Sequence, residues 1–130
     1  MEGTKMLFSL LPPHFSICKL PKETLIDLSQ EYIFLAKTDE ELSLICETSA
    51  VPRNALMQND GWRGLRVVGE LDFSLIGIIA TISPPLAEGK VSILPVSTYN
   101  TDYIFVKADQ LDRAIRILQD NNHTLEVMDK

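Results

Sequence analysis

A chain of 130 residues with 45% hydrophobic and 23% charged residues holds enough apolar material for one compact core or for two small halves sharing a sheet. Its 12 Lys and Arg against 18 Asp and Glu leave a net charge of −6, the wrong sign for neutralising phosphates or for adhering to anionic lipid, so neither nucleic acid nor membrane is an expected partner. The longest apolar stretch, Leu71 to Leu86, is broken by Asp72, Gly77 and the Pro84-Pro85 pair and does not read as a bilayer span.

The opening MEGTKMLFSLLPP has an apolar run too short for a secretory leader, which fits a cytoplasmic protein, and it reads as a first strand. Leu7 to Leu11 and His14 to Leu20 are expected as two short strands, because Pro12-Pro13 cannot donate to a ladder. A helical turn is expected over Lys22 to Leu28. YIFLAK and LSLICE then flank the acidic turn Thr38-Asp39-Glu40-Glu41, a hairpin pattern. Residues 48–61 mix Pro, Asn, Asp and Gly and mark a boundary between a first half, 1–61, and a second, 62–130. Cys18 and Cys46 lack CxxC spacing and read as buried thiols.

In the second half a strand at Arg63 to Gly69 leads through Leu71-Asp72-Phe73-Ser74 into the helical run LIGIIATI, with Asp72 or Ser74 available as its cap. Pro84-Pro85 is expected to interrupt that helix, and Gly89 to stop it in a left-handed conformation. A strand from Val91 to Val96, the turn STYNTD and the strand YIFVKA follow. Asp109 reads as the cap of an amphipathic helix in which Leu111, Ala114, Ile115 and Leu118 recur at helical spacing, ending near Asn121-Asn122 before a last strand, Thr124 to Met128. The order strand, helix, strand, strand, helix, strand is an α+β, ferredoxin-like plan, expected as an antiparallel four-stranded sheet with two helices on one face.

The stretch from Trp62 to Leu118 resembles ACT domains, both those of small stand-alone bacterial proteins and those of aspartokinases and of the cytosolic arginine sensor of animals. The residues that carry the resemblance are Gly69-x-Leu71-Asp72-Phe73-Ser74-x-x-Gly77-Ile78, Pro85-Leu86-Ala87 and Ser97-Thr98-Tyr99-Asn100-Thr101-Asp102-Tyr103. It implies a non-catalytic domain that binds an amino acid or similar effector between paired units, hence a homodimer. The first half is matched only in outline: laying Lys37-Thr38 over Ser97-Thr98 puts Leu42 where Asp102 stands, so a degenerate ACT-like half without the acidic contact is expected.

An amino acid asks for an anion near its ammonium and N–H donors near its carboxylate. The helix start offers the donors over Asp72, Phe73, Ser74, Leu75, Ile76 and Gly77, where Gly77 also permits close approach to the backbone. The turn offers hydroxyls of Ser97, Thr98 and Thr101, the amide of Asn100 and the carboxylate of Asp102, which the resemblance to the arginine sensor makes the cation contact. The plainer alternatives are that these side chains merely cap a hairpin and that Asp72 merely caps a helix. No nucleophile–base motif, P-loop or metal-ligand spacing is present, and His14 and His123 stand far apart, so no catalytic residue, cofactor or metal is expected. Two functions remain: a ligand-sensing module, or a ligand-free adaptor that dimerises or docks on an enzyme.

Overall fold

A computed structural model of the chain describes residues 5–68 and 77–128. They fall into two compact units, one of residues Pro13–Trp62 and the other of Met1–Pro12 with Arg63–Lys130. Two long strands, β1 (Leu7–Leu20) and β4 (Met57–Val67), contribute residues to both. They are hydrogen-bonded neighbours and run antiparallel, since Leu56 N–H donates to Lys19 O and Val68 N–H to Leu7 O.

β1 is one strand where two were expected, because its prolines fall where the strand changes partner. Its register with the last strand covers Leu7 to Leu10 and its register with β3 (Leu42–Glu47) covers Phe15 to Leu20. Pro12 and Pro13 sit in the gap, where no donor is required on that side.

The Pro13–Trp62 unit contains the expected hairpin. β2 (Phe34–Lys37) pairs antiparallel with β3, from Phe34 opposite Ile45 to Lys37 opposite Leu42. Lys22 to Leu28 contains turns and no helix. A core of Cys18, Leu20, Leu42, Leu44 and Cys46 lies between this hairpin and its surroundings, and Trp62 is buried as well. Both thiols are free, and burial raises both; Cys46, with Cys18 beside it, is pushed up to about 12. Neither is a nucleophile at neutral pH.

The second unit follows the expected order: β4, α1 (Ile78–Glu88), β5 (Ile93–Ser97), β6 (Asp102–Lys107), α2 (Leu111–Asp120) and β7 (Thr124–Val127). The sheet differs by one strand. β7 pairs parallel with the first residues of β1, which thus stands between β7 and β4, so the strands run β7-β1-β4-β6-β5. β5, which carries Pro95, pairs only with β6 among the described strands, as an edge strand containing proline should.

α1 runs through Pro84 and Pro85 without a break. The carbonyls these prolines leave without a donor belong to Ala80 and Thr81, which are exposed to water, while Ile82 and Leu86 are buried against the sheet. Gly89 is not left-handed, with φ −80°; that conformation falls on Lys90 at φ 63°. A Cβ at 89 would lie 2.3 Å from Ile117 Cδ1 on α2, so a side chain there would make the end of the Ile117 side chain move aside. Gln110, not Asp109, holds the N-cap position of α2, without a side-chain cap bond, because Asp109 is taken into the preceding 3-10 turn Ala108–Gln110; the buried stripe is Leu111, Ala114 and Leu118.

Phe8, Leu10, Leu65, Val67, Ile82, Leu86, Ile104, Val106 and Leu118 are among the residues of the core between sheet and helices. His123 closes one end, 6% exposed, with Nδ1 accepting the Met6 N–H at 3.1 Å and its ring edge-on to Phe8. Burial holds its pKa below the ordinary value. The unfolded chain therefore takes a proton that the folded one refuses: stability is full above about pH 6.5 and falls as pH drops from there towards the depressed folded value. His123→Gln is expected to flatten this fall, read as the difference in urea midpoint between pH 7.5 and 5.5.

The two hairpins match residue for residue, sixty positions apart. Lys37 pairs with Leu42 as Ser97 pairs with Asp102. Thr38 N–H donates to Glu41 O as Thr98 N–H does to Thr101 O, both at 2.9 Å. Each threonine hydroxyl also accepts a backbone N–H, from Glu41 at 3.1 Å and from Thr101 at 3.3 Å. Both hairpins end in a 3-10 turn, Thr48–Ala50 in one and Ala108–Gln110 in the other.

Candidate functional site

The sequence singled out two segments, of which the structure describes Gly77 at the start of α1 and the whole turn from Ser97 to Asp102 between β5 and β6. Asp72, Phe73, Ser74, Leu75 and Ile76 lie outside the described residues. Gly77 is described: it is the N-cap of α1, at φ 81° and ψ 29°, a conformation that a side chain makes costly. Its carbonyl accepts Thr81 N–H at 2.7 Å and Thr81 Oγ1 at 2.9 Å. The N–H groups of Ile78, Ile79 and Ala80 have no acceptor within the helix, as at any helix start, and among the described residues no side chain caps them. They give this end of α1 its partial positive potential.

Ser97, Thr98 and Asn100 are exposed in the turn between β5 and β6. Thr98 and Thr101 spend their hydroxyls on the protein itself. Thr98 Oγ1 donates to Thr101 O at 2.8 Å, closing the turn, and Thr101 Oγ1, on a buried residue, donates to Val67 O at 2.7 Å. The second bond fastens the turn to the end of β4, where the chain leaves the sheet towards α1.

Asp102 opens β6, opposite Ser97 and half-buried. Strand residues alternate between faces. Ile104 and Val106 belong to the core under the helices, so Asp102 lies on the helix-bearing face, the one that carries the first turn of α1. Thr101 and Tyr103 fall on the opposite face. A carboxylate and a set of open amides are the groups that suit the two charges of an amino-acid headgroup.

On the opposite face Asn100 and Thr101 line a cleft with Ser9, Arg66, Tyr103 and Glu126. The sequence offered none of these last four as a binding residue, although Tyr103 ends the motif that carries the resemblance, because they gather only through the strand order β7-β1-β4-β6. Among the described residues no three His, Cys, Asp or Glu side chains cluster as metal ligands. No helix among them is long and apolar enough to cross a membrane.

The family model of the ACT domain matches residues 58–120. A human protein named cytosolic arginine sensor for mTORC1 subunit 1 is 39% identical over 59 residues, which is 45% of this chain and 18% of that protein, so the chain spans a small part of its relative. Among solved structures, a protein of Agobacterium tumefaciens aligns over 98% of this chain and 97% of its own with a TM-score of 0.87 at 22% identity. The regulatory subunit of aspartate kinase from Thermus thermophilus aligns over 84% of this chain and 93% of its own with a TM-score of 0.58 at 11% identity. Both are likenesses of fold. The βαββαβ order, the matching family model and the similarity to a sensor's sequence agree: this chain carries a domain of the ACT family, a regulatory module related to amino-acid-sensing domains.

Proposed function

We propose that the chain is a non-catalytic sensor that binds a free amino acid on the helix-bearing face of its second unit. The ligand carboxylate meets the open amides at the start of α1, beside Gly77 and next to the sequence stretch Asp72 to Gly77, and its ammonium or a cationic side chain meets Asp102. Ser97, Thr98, Asn100 and Thr101 shape the turn that holds Asp102. The observation that carries this reading is the Thr101 Oγ1 to Val67 O bond, which ties that turn to the strand feeding α1. Binding shifts the pairing of units in a cytoplasmic homodimer.

Residues 1–61 are read as a degenerate ACT-like half and 62–130 as the ligand-binding domain. The sixty-residue correspondence of the hairpins supports this, with buried Leu42 where the second hairpin has Asp102.

The test is thermal unfolding with each of the twenty amino acids. Arginine comes first, since the 39% identical stretch belongs to a protein named as an arginine sensor. A ligand at about 100 times its Kd adds about 2.7 kcal/mol, roughly 10 °C in a domain of this size. If the midpoint stays still with all twenty, the sensing role fails and a ligand-free adaptor takes its place.

A further inference from the structure

We propose that a cleft on the side of the second unit's sheet away from the helices is a second binding site for a free α-amino acid. It stands independently of the helix-side reading. Four side chains form a row there, one from each adjacent strand. Ser9 alternates with core residues Phe8 and Leu10, Arg66 with Leu65 and Val67, and Tyr103 precedes core residue Ile104, so all three point away from the helices. Glu126 follows Leu125, which packs against that core, and is the Cα partner of Ser9. The Val68 N–H to Leu7 O bond sets those two residues opposite each other, and two steps along the antiparallel pair Ser9 stands opposite Arg66. The Arg66 guanidinium in turn lies 5.5 Å over the Tyr103 ring. Across the strands the row reads Glu126, Ser9, Arg66, Tyr103.

The row lines a cleft of about 460 Å³, within the range of small-molecule sites, roughly 300–1,000 Å³. Ser9 marks its middle. That residue is 2% exposed, yet its hydroxyl has no hydrogen-bond partner among the described residues. A buried hydroxyl left in that state costs stability, and a ligand that bonds it removes the cost.

Charge selects the ligand class. Glu126 and Arg66 stand two strand spacings apart, about 10 Å between backbones, with Ser9 between them. Their long side chains leave room above Ser9 for one headgroup carrying both signs. The guanidinium fork takes the carboxylate, the Glu126 carboxylate takes the ammonium, and the Ser9 hydroxyl donates to a carboxylate oxygen. A phosphate or dicarboxylate meets repulsion at Glu126, and a simple amine meets it at Arg66.

The test is calorimetric titration of the full chain with each of the twenty amino acids, on the native sequence and on Ser9→Ala, Arg66→Gln, Glu126→Gln and Asp102→Ala. Expected is binding that Arg66→Gln and Glu126→Gln weaken about 100-fold each and Ser9→Ala about tenfold, with Asp102→Ala leaving it intact. Ser9→Ala separates binding from folding, because its unliganded melting temperature should equal or exceed that of the native chain. Binding that survives Arg66→Gln and Glu126→Gln but disappears with Asp102→Ala overturns this site and leaves the helix-side one standing. The converse pattern, a component of binding lost in Arg66→Gln and Glu126→Gln and kept in Asp102→Ala, sustains this site, and a separate component lost only in Asp102→Ala belongs to the helix-side site. No binding of any amino acid to the native chain overturns both.

Discussion

Replacing Phe8 by alanine is expected to destabilise the protein by about 3–5 kcal/mol, the usual cost of emptying an aromatic site in a tight core. Phe8 is wholly buried and belongs to the core between β1, β4, β6 and the two helices. Its ring also meets the edge of His123, centroids 5.8 Å apart at 89°, and His123 in turn accepts the Met6 N–H. The cavity therefore opens beside a buried polar bond as well as among aliphatic side chains, which puts the loss in the upper part of that range. Urea unfolding reads it as a lower midpoint at unchanged slope. A loss below about 1 kcal/mol would mean that β1 does not stand between β7 and β4, because only that insertion surrounds Phe8 on all sides.

Asp102→Ala is expected to cut by half or more the rise in melting temperature produced by whichever amino acid binds on the helix-bearing face, while changing the unliganded midpoint little. The second half of that expectation comes from the protein itself. The first hairpin builds the same turn, with the same threonine bonds and the same terminal pair, using Leu42 at the equivalent place. An acid is thus not required for the fold of such a hairpin, and Asp102 is half-buried at a strand end. Removing one member of a charge-assisted contact to a bound ligand costs about 1.5–3 kcal/mol, which takes the stabilisation by a ligand held at 100 times its Kd from about 2.7 kcal/mol down to between about 1.3 and 0.3 kcal/mol. An undiminished response in this variant would take the cation contact away from Asp102. A lower unliganded midpoint by more than about 2 kcal/mol would show that the carboxylate supports the hairpin after all.

The proposed sensor would work through the energy difference between its liganded and unliganded pairings, since a ligand moves such an equilibrium only by the difference in affinity for the two. Gly77 sits at the junction of the two requirements. Its positive φ lets the chain turn into α1 with the first amides open, and a residue with a side chain there meets strain.

Much was legible in the sequence because it is encoded between near neighbours. The stripe of Leu111, Ala114 and Leu118 fixes α2 and its buried face, Thr38 and Glu41 fix the first hairpin, and the strand and helix periods from 63 onward give the βαββαβ order. The turn around Asp102 was equally readable, since its residue types bond within a few positions of themselves. Tertiary structure alone decided the rest. Whether Pro12-Pro13 ends a strand depends on where its partners stop, and whether Pro84-Pro85 breaks a helix depends on which carbonyls face water. The parallel pairing of β7 with β1 joins residues as far apart as Met6 and His123, 117 positions in sequence, and no local pattern announces it. That pairing is what gathers Glu126, Ser9 and Arg66 on one face, because strand order is set by which edges are left to bury after every helix has found its side of the sheet.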